Sequence, residues 1–272
     1  MICSIAACRE WLVVRPRDQV GSLDCDFHMT VPAVVRRIFS RTPRQPPQVV
    51  LPIFVWGTKG FQFWSFLSLL LDRSKCSRIL ELGSGRSTIT LAEYAAFRNA
   101  RFISIETDVA WFNKARWELL CLGMSDAPVR LVKWQSENTW YDIEQFRATV
   151  HDAETFDFAF IDGPNDNSGK SRGIRDNELA LREILRCISG ADIVVVDDVH
   201  RRHILDSIDR MLIDPKWYDK FFYDYSVQSA YPNTICICIK KSSPVRPEIG
   251  RIQEMLGMHL SDRFDEETCP EE

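Results

Sequence analysis

Three aspartates follow two apolar runs of the sequence, at positions where carboxylates can do chemistry. Asp162 comes directly after the run at 156–161, and Asp197 and Asp198 follow a second run at 192–196. Such runs are typical of buried parallel strands, whose carboxyl ends border a ligand crevice. Carboxylates brought together there repel one another unless a proton or a cation intervenes. A hard divalent cation with oxygen ligands would resolve that repulsion, and Mg²⁺ is the usual candidate.

A histidine stands close behind the aspartate pair. His200 carries an imidazole, a group that titrates near neutral pH and is suited to act as a general base. We predict that Asp162 and His200 are catalytic residues. The alternative is that Asp198 caps a helix beginning near residue 200 and that His200 is a surface or capping residue. Capping explains one aspartate but not three at the same edge of a sheet.

A glycine loop joins another predicted strand to the helix that follows it. The segment reads Glu81-Leu-Gly83-Ser84-Gly85-Arg-Ser87-Thr88. Glycines let the backbone turn sharply and approach a ligand closely, and the first N–H groups of the helix then face that ligand. Glu106 ends the next predicted strand, where a carboxylate can accept hydrogen bonds from both hydroxyls of a ribose. The loop predicts a nucleoside-containing cofactor; a tight turn without a ligand is the alternative.

Alternating strands and helices must position these residues. Apolar runs predict strands at 78–82, 101–105, 129–134, 156–161 and 192–196. Helical patterns at 87–97, 109–121, 140–150 and 174–188 lie between them, which is typical of α/β proteins with a mostly parallel sheet. Further helices are predicted at 58–71 and 200–212. Two strand-like runs at 220–227 and 234–240 are too close for a crossover helix and predict a terminal antiparallel hairpin.

These motifs resemble those of a known family. Residues 79–88 are similar to motif I of the class I S-adenosylmethionine (SAM)-dependent methyltransferases, and residues 104–106 to their ribose-binding motif. The resemblance implies a Rossmann-like fold whose seven-stranded, mostly parallel sheet has the order 3-2-1-4-5-7-6. It also implies that Ser136 lies near the adenine, with Gln135 as a near-equal candidate. The predicted cofactor-binding residues are Glu81, Gly83, Ser84, Gly85, Ser87, Thr88, Glu106, Ser136 and Asp162.

The choice of cofactor turns on one position of the loop. A dinucleotide fingerprint requires a third glycine where this chain has Thr88, and SAM has no pyrophosphate that would need that glycine. Glu81 also suits the positively charged methionine end of SAM better than it suits a phosphate. SAM is therefore the predicted cofactor, and a nicotinamide cofactor is the alternative.

The strand-end aspartates are similar to those of the metal-dependent O-methyltransferases of the catechol and macrolide-sugar types. That resemblance implies that a metal held by Asp162, Asp197 and Asp198 orients and activates a substrate hydroxyl. The catechol enzymes place a lysine three residues after the first aspartate, where this chain has Asn165, so the general base stays open. We predict O-methylation of a small hydroxylated molecule, a sugar or natural-product intermediate. The alternatives are a metal-independent methyltransferase and a catalytically silent SAM-binding or scaffold protein.

The bulk composition is that of an ordinary globular protein. The 272 residues carry a net charge of −4 with 45% hydrophobic and 26% charged residues, so neither nucleic acid nor a membrane is an expected partner. Nine cysteines without metal-ligand spacing indicate reduced thiols and a cytoplasmic protein. A small-molecule acceptor is the expected partner, and a homo-oligomer is compatible with the sequence. We expect an N-terminal extension at 1–57 that packs on the main domain or caps its substrate site, a methyltransferase domain at 58–241, and an acidic, partly disordered tail at 242–272.

Overall fold

A seven-stranded sheet and a separate two-stranded hairpin organise the described part of the molecule. The structure is a computed structural model that describes residues 53–126, 128–135, 140–150, 155–163, 178–200, 216–224 and 234–263. The described strands are β1 (Arg78–Leu82), β2 (Arg101–Glu106), β3 (Val129–Leu131), β4 (Trp134–Gln135), β5 (Trp140–Tyr141), β6 (Phe158–Ile161), β7 (Ile193–Val196), β8 (Tyr218–Asp224) and β9 (Thr234–Lys240). The described α-helices are α1 (Ile53–Ser74), α2 (Arg86–Arg98), α3 (Val109–Cys121), α4 (Ile143–Val150), α5 (Glu178–Ile188) and α6 (Ile249–Leu256).

The order of the strands across the sheet defines the fold. Among the described residues this order is β3-β2-β1-β6-β7-β9-β8. The first five of these strands run parallel, and β9 runs antiparallel to both β7 and β8. When only the strands of this sheet are numbered, the order becomes 3-2-1-4-5-7-6. The predicted Rossmann-like α/β methyltransferase fold with its antiparallel hairpin is therefore confirmed.

Apolar side chains cover both faces of the sheet. Every residue of β6 and β7 is buried, which is typical of parallel strands packed on both faces. Successive residues alternate between two core clusters: Ile79 belongs to one and Leu80 to the other. Residues of α1, α2, α3 and α6 contribute to the first cluster, and residues of α4 and α5 to the second. This packing holds the carboxyl ends of the parallel strands at one edge.

The segment after β3 differs from the predicted structure. The sequence predicts a strand over 129–134 and a helix from residue 140, but β3 ends at Leu131 and β4 pairs with β5 as an antiparallel hairpin. Helix α4 begins only at Ile143. Asp142 precedes it and accepts a hydrogen bond from the Gln145 N–H at 2.8 Å, as an N-cap residue does. Because this cap defines the start of the helix, residues 140 and 141 belong to the hairpin.

The chain beyond β9 packs back onto α1. A 3₁₀ turn at Arg246–Glu248 leads into α6. Nε2 of Gln62 on α1 donates hydrogen bonds to the carbonyl oxygens of Leu256 at 3.0 Å and Gly257 at 3.1 Å. Oε1 of the same side chain accepts a hydrogen bond from the Tyr223 hydroxyl at 3.2 Å. One glutamine therefore joins α1 to both β8 and the C-terminal segment.

Some expectations concern residues outside the described ranges. Nearly all of the predicted helix at 200–212, most of the extension at 1–57 and the end of the acidic tail lie there. Helix α1 begins at Ile53, earlier than the predicted residue 58. No helix in the described ranges is both long and apolar enough to cross a membrane. Of the cysteines that the structure describes, Cys121 is exposed and the others are buried, namely Cys76, Cys187, Cys236 and Cys238.

Candidate functional site

Gly83 is the turning point between β1 and α2. Its backbone has a φ of +88°, a conformation that residues with a side chain rarely adopt. Its N–H donates a hydrogen bond of 2.8 Å to the carbonyl oxygen of Ile105 on β2. A Cβ at this position would lie 3.0 Å from the backbone carbonyl carbon of Asp162, directly after β6. Only glycine therefore fits where the ends of these three neighbouring strands meet.

Thr88 connects the two ends of the glycine loop. Its side chain is fully buried in the first turn of α2. Its hydroxyl donates a hydrogen bond of 2.7 Å to Oε2 of Glu81 and accepts one of 2.8 Å from the Gly85 N–H. A Cβ added at Gly85 would meet no heavy atom within 4 Å. The Thr88 hydroxyl is thus used within the protein, and the space beside Gly85 is open.

Glu106, at the end of β2, accepts hydrogen bonds at both of its oxygens. Oε2 accepts from the N–H and the hydroxyl of Ser84, at 2.8 and 2.9 Å. Oε1 accepts from the N–H groups of Thr107 and Asp108, at 2.7 and 2.9 Å. Three of these four donors are backbone N–H groups, which cannot rotate away. The carboxylate is therefore buried and held in one orientation beside the glycine loop.

Two polar atoms beside the loop are buried, and neither makes a hydrogen bond of standard geometry with the described residues. They are Oε1 of Glu81 and Oγ of Ser104, whose residues are paired in the register of β1 and β2. Burial raises the pKa of Glu81 to about 7, and neighbouring serine and threonine hydroxyls partly oppose this shift. Buried polar atoms without partners are rare and call for an explanation such as strain or a ligand. The carboxylate of Glu81 therefore suits a cationic ligand group.

Glu81→Gln should change how the stability of the ligand-free protein depends on pH. Glu81 has a pKa of 4.5 in the unfolded chain and about 7 in the folded protein, so the folded state binds more protons between these values. The free energy of unfolding of the wild type therefore loses this contribution as the pH rises from 4.5 to 7. Glutamine does not titrate, so the free energy of unfolding of the variant should rise by about 3 kcal/mol relative to that of the wild type across that pH range.

Urea unfolding at pH 5 and pH 8, without ligand, measures this difference. Glu254→Gln, on an exposed position of α6, is the control for the substitution itself. Its free energy of unfolding should follow that of the wild type at both pH values. Parallel pH profiles for Glu81→Gln and the wild type would contradict the prediction, because the buried carboxyl would then make no pH-dependent contribution.

The strand-end aspartates lie at the same edge as the glycine loop. The N–H of Asp162 donates a hydrogen bond to the Leu82 carbonyl oxygen at 2.8 Å, and that of Asp197 donates one to the Ile161 carbonyl oxygen at 2.9 Å. These bonds continue the register of β1, β6 and β7. Asp198 follows with a left-handed backbone at φ +59°, and its N–H donates to Oδ1 of Asp197 at 2.8 Å. The three carboxyl groups are therefore brought to one region.

The electrostatics of this region favour a proton on Asp162. Burial raises the pKa of Asp162 well above its usual value, and the surrounding carboxylates, Asp197 first, raise that pKa further. In the described part of the chain, no group of three or more His, Cys, Asp or Glu side chains could hold a metal ion. The assignment of Asp162, Asp197 and Asp198 as metal ligands stays a prediction.

The remaining predicted site residues are placed as follows. Ser84 and Ser87 are buried beside the glycine loop, and His200 is partly buried just after the aspartate pair. Ser136 lies outside the described residues. Ser104 lies in the motif at 104–106 but is not among the predicted cofactor-binding residues. A serine within the apolar run 102–105 is a signal that could have identified it as a site residue.

Comparisons with known proteins find likeness only among solved structures. No protein-family model and no curated protein matches the chain. The cofactor-bound protein Rv0187 from MTB is 22% identical, with a TM-score of 0.48 over 78% of this chain and 91% of its own. The O-methyltransferase from Bacillus cereus, solved with SAH, is 18% identical, with a TM-score of 0.45 over 66% of this chain and 80% of its own.

A third solved structure is that of TomG from Streptomyces achromogenes, an O-methyltransferase involved in tomaymycin synthesis that was solved with SAM. It is 18% identical to this chain, with a TM-score of 0.45 over 65% of this chain and 79% of its own. At such identities and TM-scores, these likenesses say nothing about the reaction of this chain.

Proposed function

We propose that this protein is a class I SAM-dependent methyltransferase that methylates a hydroxyl group of a small molecule. The observation that carries the proposal is the glycine loop between two buried glutamates, at the carboxyl edge of a sheet with the order 3-2-1-4-5-7-6. Glu81 lies on one strand and Glu106 on the next, with Gly83 and Gly85 beside them. This layout offers acceptors for a cation and for ribose hydroxyls together with a close backbone approach.

Each group of the loop has a distinct role in holding SAM. The unpartnered Oε1 of Glu81 suits the ammonium group of the methionine end. Glu106 accepts hydrogen bonds from the ribose, and one ribose hydroxyl replaces the Ser84 hydroxyl, which can rotate away from Oε2. The open space beside Gly85 lets the ligand approach the backbone. SAM, when bound, supplies the electrophilic methyl group.

The loop also explains why SAM is favoured over a dinucleotide. Thr88 stands where a dinucleotide fingerprint has its third glycine, and its buried hydroxyl is bonded to Glu81. An ionised Glu81 would repel a pyrophosphate, whereas it attracts the positive charge of SAM. The same carboxyl group therefore favours one cofactor and opposes the other.

Titration calorimetry with the full chain tests the proposal. SAM and S-adenosylhomocysteine are expected to bind, and NAD is expected to give no heat of binding. Turnover is then followed as S-adenosylhomocysteine release with a panel of hydroxylated acceptors, sugars and natural-product intermediates included. Binding of NAD in place of SAM would contradict the proposed cofactor. Binding of SAM without methyl transfer to any acceptor would favour a catalytically silent SAM-binding protein.

The acceptor side of the site is proposed from the strand-end residues. Asp162, Asp197 and Asp198 border the crevice next to the glycine loop, so the acceptor hydroxyl is expected there. His200 follows them closely and is proposed as the general base that removes the hydroxyl proton. A buried Asp162 that holds its proton can donate a hydrogen bond to the acceptor. The small-molecule acceptor and the cytoplasmic location are part of the same proposal.

Metal assistance is the narrower variant of this function. The charges of Asp197 and Asp198 beside the Asp162 carboxyl group support it, because a cation held among the three carboxylates would offset their repulsion. If Mg²⁺ takes part, excess EDTA should abolish turnover and added Mg²⁺ should restore it, and Asp197→Asn should weaken metal binding. Full turnover in excess EDTA would leave a metal-independent methyltransferase as the function.

A further inference from the structure

Tyr141 connects the small hairpin to the strand ends of the cofactor site. It ends β5, and its side chain is fully buried. Its ring stacks on that of Phe146, with ring centroids 5.7 Å apart and an angle of 22° between the planes. Its hydroxyl donates a hydrogen bond of 3.1 Å to the carbonyl oxygen of Ile105 on β2. Packing thus locks the ring, and the hydrogen bond to Ile105 directs its hydroxyl at β2.

The carbonyl oxygen that Tyr141 contacts is shared with the glycine loop. The Gly83 N–H donates a hydrogen bond of 2.8 Å to the same Ile105 oxygen. This carbonyl also belongs to the peptide plane that carries the Glu106 nitrogen, because a peptide group is planar. A group that fixes the Ile105 carbonyl therefore fixes both the turn at Gly83 and the base of Glu106.

The electrostatic surroundings of Tyr141 agree with this position. Burial raises the pKa of Tyr141 well above its ordinary value, and the charge of Glu106 raises that pKa further. The backbone N–H of Gly83 lowers it, while the charges of Glu81 and Asp162 raise it. The phenol therefore lies within electrostatic range of three acidic residues of the candidate site.

The hairpin that carries Tyr141 is itself anchored. Tyr141 pairs with Trp134, and the Asp142 N–H donates a hydrogen bond of 2.8 Å to the Lys133 carbonyl oxygen. The Lys133 N–H donates one of 3.1 Å to Oε1 of Gln145 on α4. We propose that Tyr141 is a positioning residue for the cofactor: through the Ile105 carbonyl it holds Gly83 and Glu106 in the arrangement that binds SAM. This inference rests on the proposed function.

Tyr141→Phe tests the inference, because it removes the hydroxyl and keeps the ring. Tyr94→Phe is a matched control: Tyr94 is also buried, and its hydroxyl donates a hydrogen bond of the same 3.1 Å length to a backbone carbonyl, that of Cys76 before β1. Both variants lose the hydrogen bond that a buried tyrosine hydroxyl donates to a backbone carbonyl. Only Tyr141→Phe should weaken SAM binding, by about 3- to 10-fold, the factor that one such bond supplies.

Calorimetry with SAM and urea unfolding of all three proteins provide the readouts. Both variants should lose a similar amount of stability. Only Tyr141→Phe should show a raised Kd and a raised KM for SAM, and its KM for the acceptor should not change. Equal SAM affinities of the two variants would overturn the role of Tyr141 and leave the proposed function intact. A wild type that binds no SAM would overturn both.

Hydrogen exchange on the wild-type protein keeps the inference testable if Tyr141→Phe does not fold. Addition of SAM should slow amide exchange in peptides that cover 82–84 and also in peptides that cover 140–145, the part of the hairpin and α4 where no adenine contact is predicted. The hairpin should be protected because Tyr141 ties it to the loop. Protection confined to the glycine loop would overturn the inference.

Discussion

Gly83→Ala is expected to abolish SAM binding and to destabilise the domain by about 2–5 kcal/mol. Two costs add at this position. The φ of +88° is strained for alanine, and the new Cβ would lie 3.0 Å from the carbonyl carbon and 3.1 Å from the carbonyl oxygen of Asp162. These are backbone atoms, held by the register of β1 and β6, so they cannot move aside as a flexible side chain does. The turn must shift, and the cofactor acceptors shift with it.

Two alanine variants separate the parts of this effect. Gly123 also has a positive φ, +73°, but a Cβ there would meet nothing within 4 Å. The free energy of unfolding of Gly123→Ala should therefore fall by about 1–2 kcal/mol, and the variant should bind SAM normally. Gly85→Ala has neither strain nor a clash and should keep its stability while binding SAM at least about 10-fold more weakly. Calorimetry and urea unfolding measure both quantities. Wild-type SAM affinity in Gly83→Ala would show that the ligand does not use this loop.

Glu106→Gln should lower SAM affinity by about 100-fold and the free energy of unfolding by about 2–4 kcal/mol. Both oxygens of Glu106 face donors: the N–H and hydroxyl of Ser84 on one side and the N–H groups of Thr107 and Asp108 on the other. A glutamine amide replaces one acceptor by an NH₂ group that points at N–H donors. Whichever way the amide turns, at least one buried N–H loses its acceptor. The ribose hydroxyls also lose one of the two oxygens that would accept their hydrogen bonds.

Asp157→Asn is the matched control for this variant. One oxygen of Asp157 accepts from the N–H groups of Ser77 and Arg78 at 2.9 and 3.0 Å, and from the Ser77 hydroxyl at 2.7 Å. Asp157 precedes β6, at the opposite end of the sheet from the site. Asp157→Asn should keep its SAM affinity and lose less stability than Glu106→Gln, because the amide oxygen can accept the same three hydrogen bonds and only the ion pair with Arg78 is lost. If Glu106→Gln behaves in the same way, Glu106 is only structural.

The parts of the site that could be predicted from the sequence have local causes. A strand that runs into Gly83 and Gly85 specifies its own turn, since few other residues adopt that backbone. Asp162 and Asp197 follow apolar runs of parallel strands, and parallel strands bring their carboxyl ends to one edge without further information. The order of the sheet followed from the resemblance to a known family and from the short connection between the last two strands.

The parts that could not be predicted depend on contacts between distant residues. The Tyr141 hydroxyl reaches a carbonyl 36 positions earlier in the sequence, and no motif marks either partner. The hairpin of β4 and β5 was missed because its strands have two residues each, too few for a period to show. The sequence places the three aspartates at neighbouring strand ends, but whether such carboxyl groups bind a proton or a metal depends on distances between side chains that the sequence does not contain.

The contact between α1 and the segment after β9 also has a consequence for synthesis. Gln62 bonds to Leu256, 194 positions later, and Phe63 of the same helix shares a core cluster with Ile252 and Leu260. Contacts of such separation cannot form until the ribosome has released the last of these residues. Until then one face of the nascent sheet lacks part of its cover, and exposed apolar surface of this kind attracts chaperones or aggregates. Completion of this domain therefore waits until the segment up to Leu260 has left the ribosome.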